Sequence, residues 1–476
     1  MEKAMEKLLD FEKLKYCFEC GICTASCPVT ELLPEHYNPR VLLHSLPLAE
    51  TGLLDSADLW LCAWCYRCHK RCPQGLKVPE IFLALRRFAV KNGYLNGFSK
   101  SLKIIREKIP LPASCCHICF HPERAIKDEE RVLDNIQHFI LDYKGEQKKE
   151  EVYGERVAII GSGPAGLSAA QDLAQKGFSV TVFEASSSPG GMLRRCIPRD
   201  RLPREIVDAD VKRITDLGVT IKTEEGIHDK LQLERLLRDY SAVLLATGAD
   251  KEVTLGIEGE ELEGVFPALE FLERTGEGVR MSGRVAIIGG GNVALDCART
   301  ALSRGAEEAT VLYRRSRKEM PATPWEVKEA EEEGVEIEFL VAPKRIQGED
   351  GGVKGIECVK MELGDRDRTG RRRPISLPDS EFLVNSDTVI VAIGQVPDTN
   401  FLPETVETTE KGTIIVNPFT LETSLPGLFA GGDVVTGSAT VMDAIIAGRR
   451  AAIAIDRYVR DLPLEPFNLF ENMVRA

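Results

Sequence analysis

Cysteine is the residue type that first promises chemistry. Of the 14 cysteines in the chain, eight stand before residue 73, as Cys17, Cys20, Cys23, Cys27 and Cys62, Cys65, Cys68, Cys72. Each quartet reads C-x2-C-x2-C-x3-C and is followed by proline, Pro28 and Pro73. Three thiolates at two-residue gaps wrap one iron–sulfur cube, and the fourth, next to proline, points toward a second cube. The spacing predicts two 4Fe–4S clusters, one on Cys17, Cys20, Cys23 and Cys72, the other on Cys62, Cys65, Cys68 and Cys27. Zinc is the competing occupant, but zinc sites use CxxC pairs well separated in sequence. Four cysteines within eleven residues, twice over, fit the clusters far better. Cys115, Cys116 and Cys119 are read two ways, as ligands of a third cluster with a distant fourth ligand or as free thiols. Adjacent cysteines are poor cluster ligands, which favours the thiols. Cys196, Cys297 and Cys358 lie far from one another in sequence.

Two glycine-rich loops are the second chemical signal. Gly161, Gly163 and Gly166 form a GxGxxG between a β-branched run at 157–160 and a helical stretch at 167–175. Such glycines permit the turn and let a pyrophosphate approach the free N–H groups of a helix N-terminus. Glu184 closes the next strand, 179–183, where an acid can accept both ribose hydroxyls. The pattern returns with Gly289, Gly290 and Gly291, now with Ala294 at the third position. Here the second strand, 310–313, ends not in an acid but in Arg314 and Arg315, with Arg317 close by. Guanidinium groups there suit a 2′-phosphate, so NADP(H) is expected over NAD(H).

Around these residues the chain must supply parallel strands and crossover helices. Residues 284–313 repeat the strand–helix–strand order of 156–183, the one repeat present. Ala246-Thr247-Gly248 and Ala392-Ile393-Gly394 each end a β-branched run and mark the return to a sheet. Gly431-Gly432-Asp433 follows a strand at 428–430, so Gly432 and Asp433 are placed at a flavin's ribityl or phosphate. Thr440 begins a helix whose positive end would face the flavin pyrimidine. Two dinucleotide sites in one chain read as flavin plus nicotinamide. Helical periodicity marks 80–92 and 129–141, residues 143–156 form a charged linker, and the charged run 365–373 reads as a solvated hairpin turn.

At 476 residues the chain holds about three domains of roughly 150. It is 43% hydrophobic and 28% charged, ordinary globular usage, and it contains no apolar run of about 18 residues that could span a membrane. Residues 1–15 lack the apolar stretch of a secretory signal, so a cytoplasmic protein is expected. The net charge of −13 argues against nucleic acid as the main partner.

From 156 to about 459 the chain resembles the glutamate synthase small-subunit family of FAD/NADPH flavoproteins, a group that includes the bifurcating transhydrogenase large subunit and the N-terminal part of dihydropyrimidine dehydrogenase. The residues that carry this are GSGPAGLSAA (161–170), GGMLRRCIPRDRLP (190–203), GGGNVALDCARTA (289–301), YRRSRKEMPA (313–322) and GGDVVTGSATVMDAI (431–445). Where that family has a glycine before Ile-Pro, this chain has Cys196. The first hundred residues resemble the heterodisulfide reductase C subunit, through CGICTASCPV (20–29), YNPR (37–40) and residues 59–90. The resemblance implies an α/β fold with two Rossmann-like domains of the glutathione-reductase type, preceded by an α-helical two-cluster ferredoxin-like domain. The expected divisions are 1–110 for the clusters, 111–155 connecting, 156–281 and 396–476 for FAD, and 282–395 for NADP(H). It also brings Ala165, Gly191, Leu193, Asn292 and Val293 into the cofactor sites, and it makes Cys115–Cys119 a shortened remainder of a cysteine-rich N-terminal domain.

The chemistry expected is hydride transfer from nicotinamide to flavin, which needs orientation and no catalytic acid–base residue. Single electrons then leave through the clusters to other redox subunits, or travel the reverse way, with ferredoxin among the candidates and neither nucleic acid nor membrane as partner. Three readings differ in what lies beyond: an NADP(H)-oxidising subunit of an electron-bifurcating NADPH/NAD/ferredoxin transhydrogenase complex, a glutamate-synthase-like supplier of electrons to a biosynthetic partner, or a relay whose nucleotide site is idle. The complete glycine and arginine motifs speak against the last.

Overall fold

The computed structural model describes residues 17, 20–46, 51–120, 152–276, 278–367 and 370–463. The helix expected over 129–141 lies outside them. The chain divides into two compact units, one of Met1–Leu193, Arg201–Gly248 and Pro397–Ala476, the other of Arg194–Asp200 and Ala249–Val396.

The N-terminal part of the first unit is helical. Its elements include α1 (Pro28–Leu32), α2 (Arg67–Arg71), α3 (Val78–Lys91), α4 (Asn96–Lys108) and α5 (Pro112–Cys115). Prolines open α1, α3 and α5 in their first turns, where a missing N–H costs nothing. Short helices suit a segment whose cysteines must turn inward every third residue. The core beneath them is made by Leu59, Trp60, Phe82, Leu85, Phe98 and Ile105, all buried.

The chain then enters a parallel sheet through β1 (Arg156–Ile160), α6 (Pro164–Gln175), β2 (Ser179–Phe183), α7 (Arg204–Thr215), β3 (Thr220–Lys222) and β4 (Ala242–Leu245). It goes on into the second unit with β5 (Lys251–Glu252), β6 (Val265–Pro267), α8 (Ala268–Gly276), β7 (Arg284–Gly289), α9 (Asn292–Ser303), β8 (Glu308–Tyr313) and β9 (Glu336–Phe339). Three antiparallel strands follow, β10 (Val341–Glu349), β11 (Gly352–Arg366) and β12 (Arg372–Asn385), then β13 (Thr388–Ala392) and β14 (Gln395–Val396). The chain returns to the first sheet with β15 (Leu428–Ala430), and α10 (Val441–Val459) is the last element among the described residues.

The first sheet has the order β15-β4-β1-β2-β3 and the second β6-β13-β7-β8-β9, every pairing within both being parallel. Their central strands read as continuous buried runs, Val157–Ile160 and Val285–Ile288, because helices cover both faces. In the first unit α6 and α10 pack backbone to backbone: a Cβ on Gly448 would stand 2.1 Å from the Ala165 carbonyl oxygen. None of the described helices is long and apolar enough to cross a membrane.

The second unit begins at Ala249, not at 282 as the sequence reading has it. The reason is packing: β6 forms the edge of the second sheet beside β13, and Ala268, Phe271 and Leu272 of α8 are buried in that unit's core. The antiparallel β10–β12 sheet was not foreseen beyond its turn. The charged run 365–373 does form the β11–β12 hairpin connection, with Asp367 N–H bonded to the Arg371 carbonyl.

Candidate cofactor sites

The cysteines fall into two sets. Cys17, Cys20, Cys23 and Cys72 line one cavity, with Ile22, Arg40 and Leu43 in its walls. Cys27, Cys62, Cys65 and Cys68 form the other: burial pushes the Cys27 thiol up to about 12, and the charges of Cys65 and Cys62 add to it. Burial likewise raises Cys65 to about 11, with Cys62 adding, and raises Cys68 strongly, with Cys62, Cys65 and Cys27 adding. Each quartet thus lends its proline-flanked cysteine to the other's set. Thiols so buried and so crowded stay protonated when alone. A metal cluster that replaces the protons relieves both costs, which is the fit expected of its ligands. Among the described residues, no three His, Cys, Asp or Glu side chains converge as they would around a single metal ion.

The loop that presents Cys62, Cys65 and Cys68 is held from inside. Arg86 of α3 is 1% exposed, and its guanidinium donates to the carbonyls of Leu59 at 2.9 Å, Cys62 at 2.9 Å and Phe120 at 3.4 Å. Trp64 and Tyr66 adopt left-handed φ values of 50° and 57°, a cost that a wrap of this tightness imposes on non-glycine residues. The buried hydroxyl of Tyr37 bonds the Cys62 sulfur, a contact the YNPR motif contained but whose role its sequence did not reveal.

The first glycine loop divides its work among three residues. Gly161 has φ of 103°, and a Cβ there would stand 2.4 Å from the Ala246 carbonyl oxygen. A Cβ on Gly166 would meet the Gly161 oxygen at 2.0 Å, while one on Gly163 meets nothing within 4 Å. Gly161 and Gly166 therefore shape the turn, and Gly163 keeps open the space a pyrophosphate would take. Gly191 lies against Gly163, with Leu193 buried beside it. Ala165 is buried at the α6–α10 crossing, 2.9 Å from where a Gly432 Cβ would point. Glu184 is buried at the end of β2 and accepts from the Ser162 N–H at 2.9 Å and the Ser186 N–H at 2.7 Å. Gly248, after Thr247, has φ of 78° and open space at its Cβ position.

Asp433 follows Gly432 and opens a short helical turn. Burial pushes its carboxyl up to about 6, the Ala439 N–H pulling it down and Asp443 pushing it up. Thr440 caps α10 in a full capping box: its hydroxyl accepts from the Asp443 N–H at 3.2 Å and donates to the Asp443 carboxylate at 2.7 Å. The N–H groups of the first turn beyond the cap are the donors a flavin pyrimidine would meet.

The second unit repeats the loop. A Cβ on Gly289 would stand 2.1 Å from the Ala392 carbonyl oxygen, one on Gly290 would strike the Tyr313 ring, and one on Gly291 meets open space. Gly394, with φ of 120°, is open as well. Asn292 starts α9 and accepts from the Thr323 N–H at 3.2 Å, with Val293 next to it. The arginines after β8 part company. Arg314 is exposed. Arg315 is 7% exposed and pairs with Asp367 at 3.1 Å while donating to the Arg372 carbonyl at 2.8 Å. Arg317 pairs with Glu331 and lies over the Phe339 ring. Arg315 therefore anchors the β11–β12 hairpin, and the sequence reading that turned it toward a phosphate gives way at that residue. Its partner Asp367 lies 52 positions away, and no local pattern announces it.

Cys115, Cys116 and Cys119 are all buried. The Cys115 thiol donates to the Pro110 carbonyl at 3.8 Å, and hydrogen bonding with Cys119 together with burial holds it well up. The buried Asp210 of α7 accepts the N–H groups of Ala113 at 3.1 Å and Ser114 at 2.8 Å, and burial pushes its carboxyl up to about 6. In the second unit, Cys196 packs against the core that contains Cys297, whose thiol is raised first by burial and next by Cys196. Sequence distance concealed that neighbourhood.

Residues 155–451 match the family profile described as pyridine nucleotide-disulphide oxidoreductase, and residues 13–76 that of the 4Fe-4S dicluster domain. The chain is 41% identical to the NADP(+)-dependent formate dehydrogenase subunit beta of Moorella thermoacetica, over 84% of this chain and 60% of that one. It is 36% identical to the NADPH-Fe(3+) oxidoreductase subunit beta of Geobacter sulfurreducens, over 97% of this chain and 73% of the relative. It is 37% identical to the glutamate synthase [NADPH] small chain of Escherichia coli, over 86% and 92%. Among solved structures it resembles Mycobacterium tuberculosis FprA in complex with NADPH, with a TM-score of 0.56 at 19% identity, over 65% of this chain and 85% of that one.

Proposed function

Because the chain belongs to the pyridine nucleotide-disulphide oxidoreductase family, we propose that it oxidises NADPH on a bound FAD and passes electrons through two 4Fe–4S clusters to partner subunits. The observation that carries this is the pairing of two open glycine loops with different strand ends. Glu184 stands beyond the first and the exposed Arg314 beyond the second. An acid fits the ribose of FAD, and an unpaired guanidinium fits a 2′-phosphate. The two thiol sets supply what a flavin without a nearby substrate needs, a one-electron exit. FAD supplies the chemistry of accepting hydride and releasing electrons singly. The protein's part is to bind the pyrophosphate over Gly163, to hold the ribose at Glu184 and to present the first turn of α10.

The relatives named as beta subunits of formate dehydrogenase and NADPH-Fe(3+) oxidoreductase support a place in a multi-subunit redox complex. Its finer form is an electron-bifurcating NADPH/NAD/ferredoxin transhydrogenase complex. The second reading, supply of electrons to a biosynthetic partner, draws on the 92% coverage of the glutamate synthase small chain. Anoxic purification with iron and flavin analysis tests the common core, with about eight irons and FAD expected per chain. About four irons, or FMN in place of FAD, would sink it, and about twelve would make Cys115, Cys116 and Cys119 ligands. Chains that co-purify, assayed for joint reduction of NAD and ferredoxin by NADPH, separate the two readings.

A further inference from the structure

Two ion pairs join the cysteine-bearing helices to α10, and both belong to one thiol set. Arg67, between Cys65 and Cys68, pairs with Asp443. Glu31, on α1 just after Cys27, accepts from the Arg450 Nε at 2.6 Å. Asp443 is the capping-box acid of α10, so one carboxylate holds both Thr440 and Arg67. The Cys27/Cys62/Cys65/Cys68 set is therefore mounted on the first turns of α10. The other set has a different setting. Its cavity is walled, among the described residues, by positions 17–78 alone, and Cys20 is exposed on it together with Ile22, itself 37% exposed.

We infer that the two sets act in a fixed order: Cys27/Cys62/Cys65/Cys68 is the inner site that takes electrons from the flavin, Cys17/Cys20/Cys23/Cys72 is the outer site that delivers them at the surface around Cys20, and Arg67 is the positioning residue at the joint. This rests on the FAD reading given above. Two electrons arrive as hydride and leave one at a time. Each adds one negative charge to the inner site and then to the outer, and the proton left on the flavin goes to water. The acceptor beyond Cys20 is a one-electron carrier. A guanidinium fixed between two inner ligands stabilises the added charge, and Asp443 keeps it at that place.

The test uses the full chain prepared anoxically, with Cys65→Ala, Cys20→Ala, Arg67→Gln and Arg67→Lys. Each is mixed with NADPH and freeze-quenched, with EPR of the reduced clusters read beside flavin absorbance. Cys20→Ala is expected to reduce its remaining cluster as the parent does. In Cys65→Ala the remaining cluster stays oxidised at least tenfold longer, although dithionite reduces it directly. Arg67→Gln keeps its iron and bleaches its flavin at the parent rate. Its cluster signal grows at least tenfold more slowly, the inner cluster's potential falls, and Arg67→Lys restores part of both. Equal reduction of the remaining cluster in Cys65→Ala, or a block in Cys20→Ala instead, overturns the order. An Arg67→Gln protein with unchanged rate and potential overturns the role of Arg67. A parent protein whose flavin is absent or is not bleached by NADPH overturns the functional reading first, and the order with it.

Discussion

Arg314 and Arg315 are adjacent, yet their replacement should have opposite kinds of consequence. Arg314 is exposed at the end of β8, free to meet a 2′-phosphate. A charge-assisted bond to that phosphate is worth roughly 1.5–3 kcal/mol. Arg314→Ala should therefore weaken NADPH by about ten- to a hundredfold and leave NADH nearly unchanged. Arg315 is already committed, to Asp367 at 3.1 Å and the Arg372 carbonyl at 2.8 Å, with 7% of its surface exposed. Arg315→Ala leaves Asp367 and a carbonyl short of a donor and should cost stability by about 1–3 kcal/mol. It should affect both nucleotides alike through the loosened hairpin. The assay is rapid anoxic flavin bleaching across NADPH and NADH concentrations, with thermal unfolding measured in parallel. A parent protein that prefers NADH refutes the reasoning. So does Arg314→Ala that weakens both nucleotides equally, or Arg315→Ala that loses only NADPH at full stability.

Three further outcomes follow from single residues. Gly163→Val should fold, since its Cβ has open space, yet purify without FAD, whereas Gly166→Val should fail to accumulate because its Cβ would stand 2.0 Å from the Gly161 oxygen. Colourless but folded Gly163→Val is read by circular dichroism and absorbance. Tyr37→Phe removes a hydroxyl donor from the Cys62 sulfur and should lower the potential of that cluster in an EPR redox titration, with iron content unchanged. Asp210 has its carboxyl raised to about 6 from 3.8, so it binds its proton more tightly folded than unfolded. Its contribution to stability is fully present below pH about 4 and is lost as pH rises through about 6, roughly 3 kcal/mol in all. Melting of Asp210→Asn against the parent between pH 5 and 8 should show the parent alone losing about half of that increment.

Much of this was legible because the signals are local. The C-x2-C-x2-C-x3-C quartets, the strand–loop–helix order around Gly161 and Gly289, and the acid or arginine at the strand end each lie within a short window. The αβ elements there matched to within a residue or two, as at 179–183 and 428–430. What stayed hidden depends on residues far apart in sequence. Arg315 looks like a ligand-binding arginine until Asp367 is folded onto it. The boundary at Ala249 is set by β6 pairing with β13, strands separated by residues 268–387. Arg86 reads as one more polar position on an amphipathic helix, and only the cysteine loop folded over it makes it a buried support. The clamp from Arg67 and Glu31 to α10 joins residues 376 and 419 positions apart in sequence.

The placement of β15 and α10 after the whole of the second unit bears on how the protein is made. β15 covers the free edge of β4, but the ribosome must first synthesise all of Ala249–Val396. At about 5–20 residues per second that takes on the order of ten seconds or more. During that time β4 carries an open strand edge, a template for mispairing with another nascent chain. The Cys27/Cys62/Cys65/Cys68 set waits longer still, since its backing helix α10 emerges only after β15. Iron delivered early would load a site lacking the Arg67–Asp443 and Glu31–Arg450 contacts, so cluster insertion belongs after α10 has emerged, and a chain cut short before Val441 should accumulate as an iron-poor aggregate.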